Sequence, residues 1–232
     1  MPPLNVDVVI PAWDEEASLP LVLADIPEGA VREVIVVDNG STDGTARVAR
    51  EAGATVVTER RRGYGRACLS GIAFLRARPA PPDVVVFLDA DHSDHPEELP
   101  SVIAPILEGR ADLSIGSRVL GRREPGALLP QARAGNFVAA ALIRILYGLQ
   151  VTDLGPFRAI RWEALERLAM VDTNFGWTVE MQVKAAKAGL RVVEVPVSYR
   201  PRVGRSKISG TLGGASRAGY KILYTIFRHA WF

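Results

Sequence analysis

An apolar run that ends in two carboxylates constrains the fold of this chain more than any other stretch. Val84 to Leu88 are consecutive apolar residues rich in valine, which is typical of a fully buried central strand. Asp89 and Asp91 follow, and residues two apart in an extended segment point to the same side. Because adjacent like charges repel, a divalent cation is the simplest ligand for this pair, and Mg²⁺ and Mn²⁺ prefer carboxylate oxygens. The run therefore predicts a metal site at the end of a strand, with an acidic cap of the next helix as the alternative.

Strands and helices alternate along the chain. The predicted strands are 6–10, 33–37, 54–58, 84–88, 112–115 and 192–197. The predicted helices are 17–26, 45–52, 66–78, 97–107, 136–147, 162–170 and 176–187. A basic loop is expected at 117–133 and an extended segment at 153–158. This order predicts an α/β fold with a mostly parallel, Rossmann-like sheet and helices on both faces.

From Thr211 onward the sequence predicts a basic amphipathic helix. Arg217, Lys221 and Arg228 fall on a different face from its apolar residues. Such a helix packs on the domain through its apolar face or lies in a membrane interface, and the sequence leaves both open. We divide the chain into one domain, 1–210, and this helix, 211–232.

Charge and cysteine content indicate what the chain contacts and in which compartment it is expected to lie. The whole chain carries a net charge of +2, yet residues 191–232 contain eight Lys or Arg and one acid, so the C-terminal end is expected to meet phosphate or a membrane surface. No aromatic and basic platform accompanies these charges, which argues against nucleic acid. The single Cys68 and the lack of a signal-peptide pattern predict a cytoplasmic protein, peripheral on the inner membrane face if the helix binds lipid. Whether it forms a homo-oligomer stays open.

Acidic residues stand at the carboxyl ends of three predicted strands. They are Asp14 to Glu16, Asp38, and Asp89 with Asp91. Since the carboxyl ends of parallel strands meet at one edge of a sheet, where open α/β sheets bind ligands, we expect one site there.

The motifs around these acids resemble those of family 2 glycosyltransferases. They read Val-Ile-Pro-Ala-Trp-Asp-Glu-Glu from Val9, Val-Asp-Asn-Gly-Ser-Thr-Asp-Gly-Thr from Val37, and Asp-Ala-Asp from Asp89. Four later segments resemble the dolichol-phosphate mannose or glucose synthase branch: Gly116 to Arg118, Arg133 to Asn136, Asp153 to Arg158, and Gly204 to Lys207. The resemblance implies a GT-A fold and inverting transfer of mannose or glucose from a GDP or UDP sugar to a polyprenyl phosphate.

The resemblance also implies roles for individual residues. Those expected to bind the nucleotide sugar are Pro11, Ala12, Asp14, Glu15, Asp38, Gly65 and Ala90. Asp89 and Asp91 would bind Mg²⁺ or Mn²⁺, which neutralises the departing diphosphate. The chain departs from the family at Asp14, where Asn is usual, and at Asn39, where a second Asp is usual. A metal-binding Gln that often follows the Asp-x-Asp is missing, which leaves Asp94 or water to complete the metal shell.

Two acceptor classes call for different residues. A phosphate acceptor is already ionised and needs cations rather than a base. The candidate acceptor residues are Arg118, Arg133, Asp153, Arg158, Arg202, Arg205 and Lys207. A hydroxyl acceptor needs a carboxylate that takes its proton, and Glu180 is the best candidate, with a structural carboxylate as its alternative role. Arg118 and Glu180 thus join Asp89 and Asp91 as candidate catalytic residues.

Other protein classes fit the sequence less well. A nicotinamide dehydrogenase would carry Gly-x-Gly-x-x-Gly after its first strand, and a P-loop hydrolase would carry Gly-x-x-x-x-Gly-Lys-Ser/Thr. The turn after the first strand is Pro-Ala-Trp-Asp-Glu-Glu instead. From a different class, a non-catalytic lipid-surface module on a transferase fold remains an alternative, against which the intact Asp89 and Asp91 argue.

Overall fold

The alternating pattern of the sequence folds into one sheet between two layers of helices. The structure, a computed structural model, describes residues 4–204 and 212–231. The strands are β1 (Val6–Ala12), β2 (Glu33–Asp38), β3 (Thr55–Thr58), β4 (Val84–Phe87), β5 (Leu113–Ser117), β6 (Arg158–Arg161) and β7 (Val192–Pro196). The helices are α1 (Leu19–Asp25), α2 (Thr45–Glu51), α3 (Tyr64–Arg76), α4 (Leu99–Leu107), α5 (Pro130–Tyr147), α6 (Trp162–Leu168), α7 (Trp177–Lys187) and α8 (Leu212–Trp231).

The sheet has the strand order β3-β2-β1-β4-β6-β5-β7. Every pairing is parallel except those of β6, which runs antiparallel to both β4 and β5. The predicted α/β class with a mostly parallel sheet is therefore confirmed. The extended segment expected at 153–158 corresponds only in part to β6, because Arg158 and Arg161 flank its two apolar residues and hide the apolar pattern of a strand.

Successive residues of each central strand face opposite helix layers. Val9 packs in the cluster that contains buried residues of α3, α5, α6, α7 and α8. Val8 and Ile10 pack in the other cluster, with α1, α2 and α4. This alternation is the two-residue period of a strand, and it confirms helices on both faces of the sheet.

Two elements at the C-terminal side refine the prediction. Helix α5 begins at Pro130 instead of Asn136, with Pro at its first position, so the basic loop is shorter than expected. Helix α8 packs against α5 and α7 through the buried Ile226, whose carbonyl accepts a hydrogen bond from Tyr147. Packing on the domain, one of the two alternatives for this helix, is therefore observed. None of the described helices is long and apolar enough to cross a membrane.

Candidate active site

A cavity of about 280 Å³ opens at the carboxyl edge of β1 and β4. Seven of the predicted site residues line it: Pro11, Ala12, Glu15, Asp89, Ala90, Asp91 and Arg202. We call it the carboxylate cavity, because three of these side chains are acidic. The expectation that acids from different strand ends share one edge of the sheet thus agrees with the structure.

Asp89 and Asp91 line this cavity together and differ in their partners. Tyr64 donates a hydrogen bond to Asp89 Oδ1 at 3.0 Å. The backbone N–H of Ser93 donates to Asp91 Oδ1 at 2.9 Å, and its hydroxyl donates to the same oxygen. Burial and the neighbouring charge of Asp91 raise the pKa of Asp89 to about 7. The pair is therefore short of positive charge.

Asp94 is a third carboxylate close to this pair, and unlike Asp89 and Asp91 it is buried. Among the described residues neither of its carboxylate oxygens has a hydrogen-bond partner, and the side chain is almost fully buried. Burial and the charge of Asp89 raise the pKa of Asp94 well above its usual value. The described part of the chain nevertheless contains no group of three His, Cys, Asp or Glu placed to hold one metal ion. A metal at Asp89 and Asp91 would take its other ligands from water or substrate.

Arg202 reaches the carboxylate cavity from the segment that follows β7. Its Nη2 lies 2.9 Å from Glu15 Oε1, and its Nη1 lies 3.2 Å from Asp91 Oδ2. The backbone N–H of Val203 also donates to the carbonyl of Asp91 at 3.0 Å. The segment therefore lies against the loop that carries Asp91 and brings a cation to two carboxylates.

The two residues that depart from the family each join two segments: Asp14 joins the turn after β1 to the turn after β2, and Asn39 joins the turn after β2 to the segment after β3. Asp14 Oδ1 accepts from the N–H of Thr42 at 2.6 Å. The Asn39 amide donates to the carbonyls of Glu59 and Arg61 and accepts from the N–H of Gly63. An aspartate could not donate those two bonds, so Asn39 is suited to fixing this wall of the cavity.

Asp38 itself lies beneath the cavity wall. Its Oδ1 accepts from the N–H of Ser41 at 2.9 Å, and the residue is buried. Its strand partner Ala12 and its neighbour Asn39 line the cavity. Asp38 thus stands at the predicted edge, but it is not among the residues that line the cavity.

Two glycines bring a distant turn to the cavity. A Cβ on Gly65 would lie 2.0 Å from the carbonyl oxygen of Asp172, and one on Gly63 would lie 2.2 Å from that of Thr173. This close approach allows Asn174 and Phe175 to line the cavity. Our sequence analysis missed both, together with Trp13, Arg62 and the lining role of Asn39. Asn174 and Phe175 carry no local signal, because they reach the site only through this glycine contact.

A buried ion pair lies beside the carboxylates. Arg118 donates to Asp153 through its backbone N–H, Nε and Nη2, at 2.7–2.8 Å. Burial alone would raise the pKa of Asp153, but the bonds from Arg118 hold it below its usual value. The charge of Arg118 also acts on Asp89, where it opposes the upward pKa shift. The pair therefore adjoins the carboxylate cavity.

A second cavity, of about 420 Å³, is lined by Val119 and Thr152, the chain neighbours of this pair. Its lining is mainly apolar with two arginines, and consists of Val119, Arg123, Leu128, Pro130, Arg133, Ala134, Asn136, Phe137 and Thr152. We call it the apolar–basic cavity. Thr152 precedes Asp153 and bonds the Ser117 hydroxyl at 2.8 Å, which connects this cavity to the Arg118–Asp153 pair. Arg133, predicted at the acceptor site, lines it.

Two predicted site residues lie away from both cavities. Arg158 is fully buried, donates only to the carbonyls of Leu154, Gly155 and Thr178, and has its pKa lowered by burial to about 10. Glu180 is also buried. It accepts from the N–H groups of Val171 and Asp172 and pairs with Lys184 at 2.7 Å. Their positions favour structural roles. Arg205 and Lys207 lie outside the described residues.

The family model of glycosyl transferase family 2 matches residues 7–169. The chain belongs to this family. Residues 7–169 include β1 to β6 with Asp89 and Asp91, so the family assignment rests on the same part of the chain as the site. The predicted enzyme class, a glycosyltransferase, is confirmed.

Two relatives of this glycosyltransferase match it over most of their length. An uncharacterized glycosyltransferase of Mycobacterium tuberculosis is 45% identical over 214 residues, covering 90% of this chain and 92% of the relative. An undecaprenyl-phosphate mannosyltransferase of Micrococcus luteus is 34% identical over 227 residues, covering 91% and 90%.

Among solved structures, glucosyl-3-phosphoglycerate synthase of Mycobacterium tuberculosis, in complex with Mn²⁺, UDP and glucosyl-3-phosphoglycerate, has a TM-score of 0.78 and is 25% identical. The match covers 99% of this chain and 81% of the synthase. The predicted GT-A fold is confirmed.

Proposed function

We propose that the chain is an inverting, metal-dependent glycosyltransferase that moves mannose or glucose from a GDP or UDP sugar to a polyprenyl phosphate. One observation carries this proposal: the Arg118–Asp153 pair relates the two cavities, because its chain neighbours Val119 and Thr152 line the apolar–basic cavity and the charge of Arg118 acts on Asp89 in the carboxylate cavity. The carboxylate cavity is suited to a nucleotide diphosphate held by a metal, and the apolar–basic cavity to a phosphate joined to a hydrocarbon chain. The relative from Micrococcus luteus, named for an undecaprenyl-phosphate acceptor, supports the same acceptor class.

The donor side fits a divalent ion through the chemistry of its carboxylates. Asp89 and Asp91 face one cavity, and burial together with the charge of Asp91 raises the pKa of Asp89, which a bound cation would lower. Two carboxylates with water and substrate phosphate are a usual Mg²⁺ shell. A bound ion neutralises the charge that develops on the departing diphosphate. Trp13 and Phe175 offer apolar walls for a base, while Glu15 and the loop held by Asn39 border the same space.

The acceptor side fits a lipid phosphate through charge and apolar surface. Arg123 and Arg133 can neutralise an entering phosphate, and Val119, Leu128 and Phe137 can cover the first part of a prenyl chain. Because the phosphate oxygen is already ionised, attack on the anomeric carbon needs no general base. We assign Arg118 to the same phosphate-binding role, because its charge acts on Asp89 even though its guanidinium is paired with Asp153.

Exposed apolar residues extend the acceptor side toward a membrane surface. Phe137 and Ile145 of α5 are 74% and 72% exposed, and Tyr220 of the neighbouring α8 is 71% exposed. Arg217 and Arg228 of α8 are also exposed. Aromatic and basic side chains together suit an anionic lipid interface. We therefore place the working enzyme at the cytoplasmic membrane face, attached peripherally.

A second candidate keeps the donor site and uses a hydroxyl acceptor with Glu180 as the general base. The complex of the solved synthase with glucosyl-3-phosphoglycerate favours it as a candidate. Against it, the Glu180 carboxylate is occupied by two N–H groups and Lys184 and does not line the carboxylate cavity.

The test measures transfer from UDP-glucose and GDP-mannose with Mn²⁺ to a polyprenyl phosphate in detergent and, separately, to 3-phosphoglycerate. We expect transfer to the lipid phosphate, and we expect Asp89→Ala to reduce it by about a thousandfold or more, because the metal loses a ligand. Glu180→Gln is expected to keep the rate within a few-fold, assayed below the melting temperature of each variant. Transfer to 3-phosphoglycerate without transfer to the lipid phosphate would support the second candidate. Loss of transfer in a Glu180→Gln protein that remains folded would support it as well.

A further inference from the structure

A cation of the protein already lies at the predicted metal site. Arg202 bridges Glu15, at 2.9 Å, and Asp91, at 3.2 Å, inside the carboxylate cavity. Its Nε is buried and has no hydrogen-bond partner among the described residues. The guanidinium is therefore held mainly by these two ion pairs.

The ion pair of Arg202 with Asp91 occupies Asp91 Oδ2, the oxygen through which a metal would bind. Asp91 Oδ1 accepts two hydrogen bonds from Ser93, whereas Asp91 Oδ2 faces Arg202 Nη1. A divalent ion that binds Asp91 through its less encumbered oxygen meets the guanidinium there. Two cations at one carboxylate oxygen repel each other, so metal binding and the Arg202–Asp91 pair are mutually unfavourable.

Arg202 has a short range of movement once it leaves Asp91. Glu15 binds its other nitrogen, and the N–H of Val203 remains bonded to the carbonyl of Asp91. Both anchors keep the guanidinium beside the space expected for the diphosphate. A planar guanidinium binds phosphate oxygens in a bidentate manner.

We propose that Arg202 is the resident counter-ion of the metal site and exchanges Asp91 for the donor diphosphate when metal and nucleotide bind together. This exchange makes binding of the metal and binding of the nucleotide diphosphate cooperative. Metal alone must separate the guanidinium from Asp91, while the diphosphate gives that guanidinium a new partner. The inference rests on the proposed function, because it assumes that a metal and a nucleotide diphosphate occupy this cavity.

The experiment measures Mn²⁺ binding, by electron paramagnetic resonance of the free ion, without nucleotide and with saturating UDP or GDP. We compare the wild-type protein with Arg202→Gln. The variant should bind Mn²⁺ alone about fivefold or more tighter, and should bind UDP or GDP at saturating Mn²⁺ about fivefold or more weaker. Opposite changes for the two ligands are not expected from a merely structural residue.

Arg62→Gln is the matched control. Arg62 lines the same cavity and stacks 3.8 Å from the Trp13 ring centroid, yet it forms no ion pair with a described residue. Its loss removes the same charge without freeing Asp91, so it should change Mn²⁺ affinity much less. Arg202→Lys, which keeps the charge without the bidentate fork, should give intermediate affinities and replaces the glutamine variant if that one unfolds.

Two results would overturn the inference and are distinguishable. If Arg202→Gln binds Mn²⁺ alone no more tightly than the wild type, or gains no more than Arg62→Gln, Arg202 is not the counter-ion, and the donor site stands. If the wild type binds no Mn²⁺ with either nucleotide, the proposed donor site and the inference fail together.

Discussion

The carboxylates at the donor side and those at the acceptor side of this glycosyltransferase differ in how completely they are paired. At the donor side, Asp89 has a pKa raised to about 7, and neither oxygen of Asp94 has a hydrogen-bond partner among the described residues. At the acceptor side, Asp153 binds Arg118 through three hydrogen bonds, and Glu180, which lies away from both cavities, is likewise enclosed by two N–H groups and Lys184. All four are carboxylates, and they differ in the hydrogen-bond and ion-pair partners around them.

The difference indicates which charges serve the fold and which serve a ligand. A buried charge without a partner costs free energy, whereas a paired one can be neutral or stabilising. The chain provides complete pairing where Arg118 and Asp153 connect β5 to the segment before β6. It leaves pairing incomplete beside the carboxylate cavity, where an incoming cation can supply it. Incomplete pairing is therefore the more informative sign of the site.

The largest effect is expected from breaking the acceptor-side pair. Arg118→Met keeps most of the side-chain volume but leaves the Asp153 carboxylate, which is fully buried, without its cation. Removing one partner of a buried pair typically costs about 3–5 kcal/mol. The free energy of unfolding, measured by urea denaturation, should fall by about this amount.

The controls for Arg118→Met use a second exchange and a surface pair. Adding Asp153→Leu to the variant should restore much of the loss, since no unpaired charge remains. Arg47→Met, which breaks exposed pairs with Glu16 and Glu51, should lower the free energy of unfolding much less than Arg118→Met. A single Arg118→Met variant as stable as the wild type would mean that Asp153 is not held by this pair, and the contrast between the two sides would be lost.

The parallel half of the fold could be predicted from local pattern, and the other half only in part. Strands β1 to β4 lie within one or two residues of their predicted bounds, because most of their residues are apolar or β-branched and the central strands β1 and β4 are buried on both faces. Strand β6 was predicted only as extended chain up to Arg158. Its place between β4 and β5 depends on the partners on both sides, which local pattern does not contain.

Prediction of the site residues from the sequence met the same limit. Asp89 and Asp91 were predicted because a strand and two carboxylates lie within one short stretch. Asn174 and Phe175 were missed, since Gly63 and Gly65 bring them in from far along the sequence. For Glu180 the sequence left a general base and a structural carboxylate open, and the hydrogen bonds that favour the second role are visible only in three dimensions.

A smaller effect on the free energy of unfolding is expected when pH changes the charge of Asp89 at the donor side. In the folded protein Asp89 keeps its proton up to about pH 7, whereas its ordinary value is 3.8. Between these values the folded state binds the extra proton, so the free energy of unfolding falls as pH rises from about 4 to about 7. Compared with Asp89→Asn, which cannot titrate, the metal-free wild type should lose about 1–3 kcal/mol across this range. A pH-independent difference between the two proteins would show that Asp89 is already paired.

The smallest effect concerns the surface beyond the acceptor side. Phe137 of α5 and Phe227 of α8 are exposed, and α5 and α8 pack against each other. If this surface meets lipid, Phe137→Ser with Phe227→Ser should reduce binding to anionic vesicles by about three- to tenfold, because two apolar side chains no longer enter the interface. Leu107→Ser is the matched control, since Leu107 is 47% exposed on α4, which covers the opposite face of the sheet. Vesicle co-sedimentation measures all three proteins. Equal binding by the double variant and the control would mean that this surface does not contact the membrane. The apolar–basic cavity would then bind an acceptor from solution.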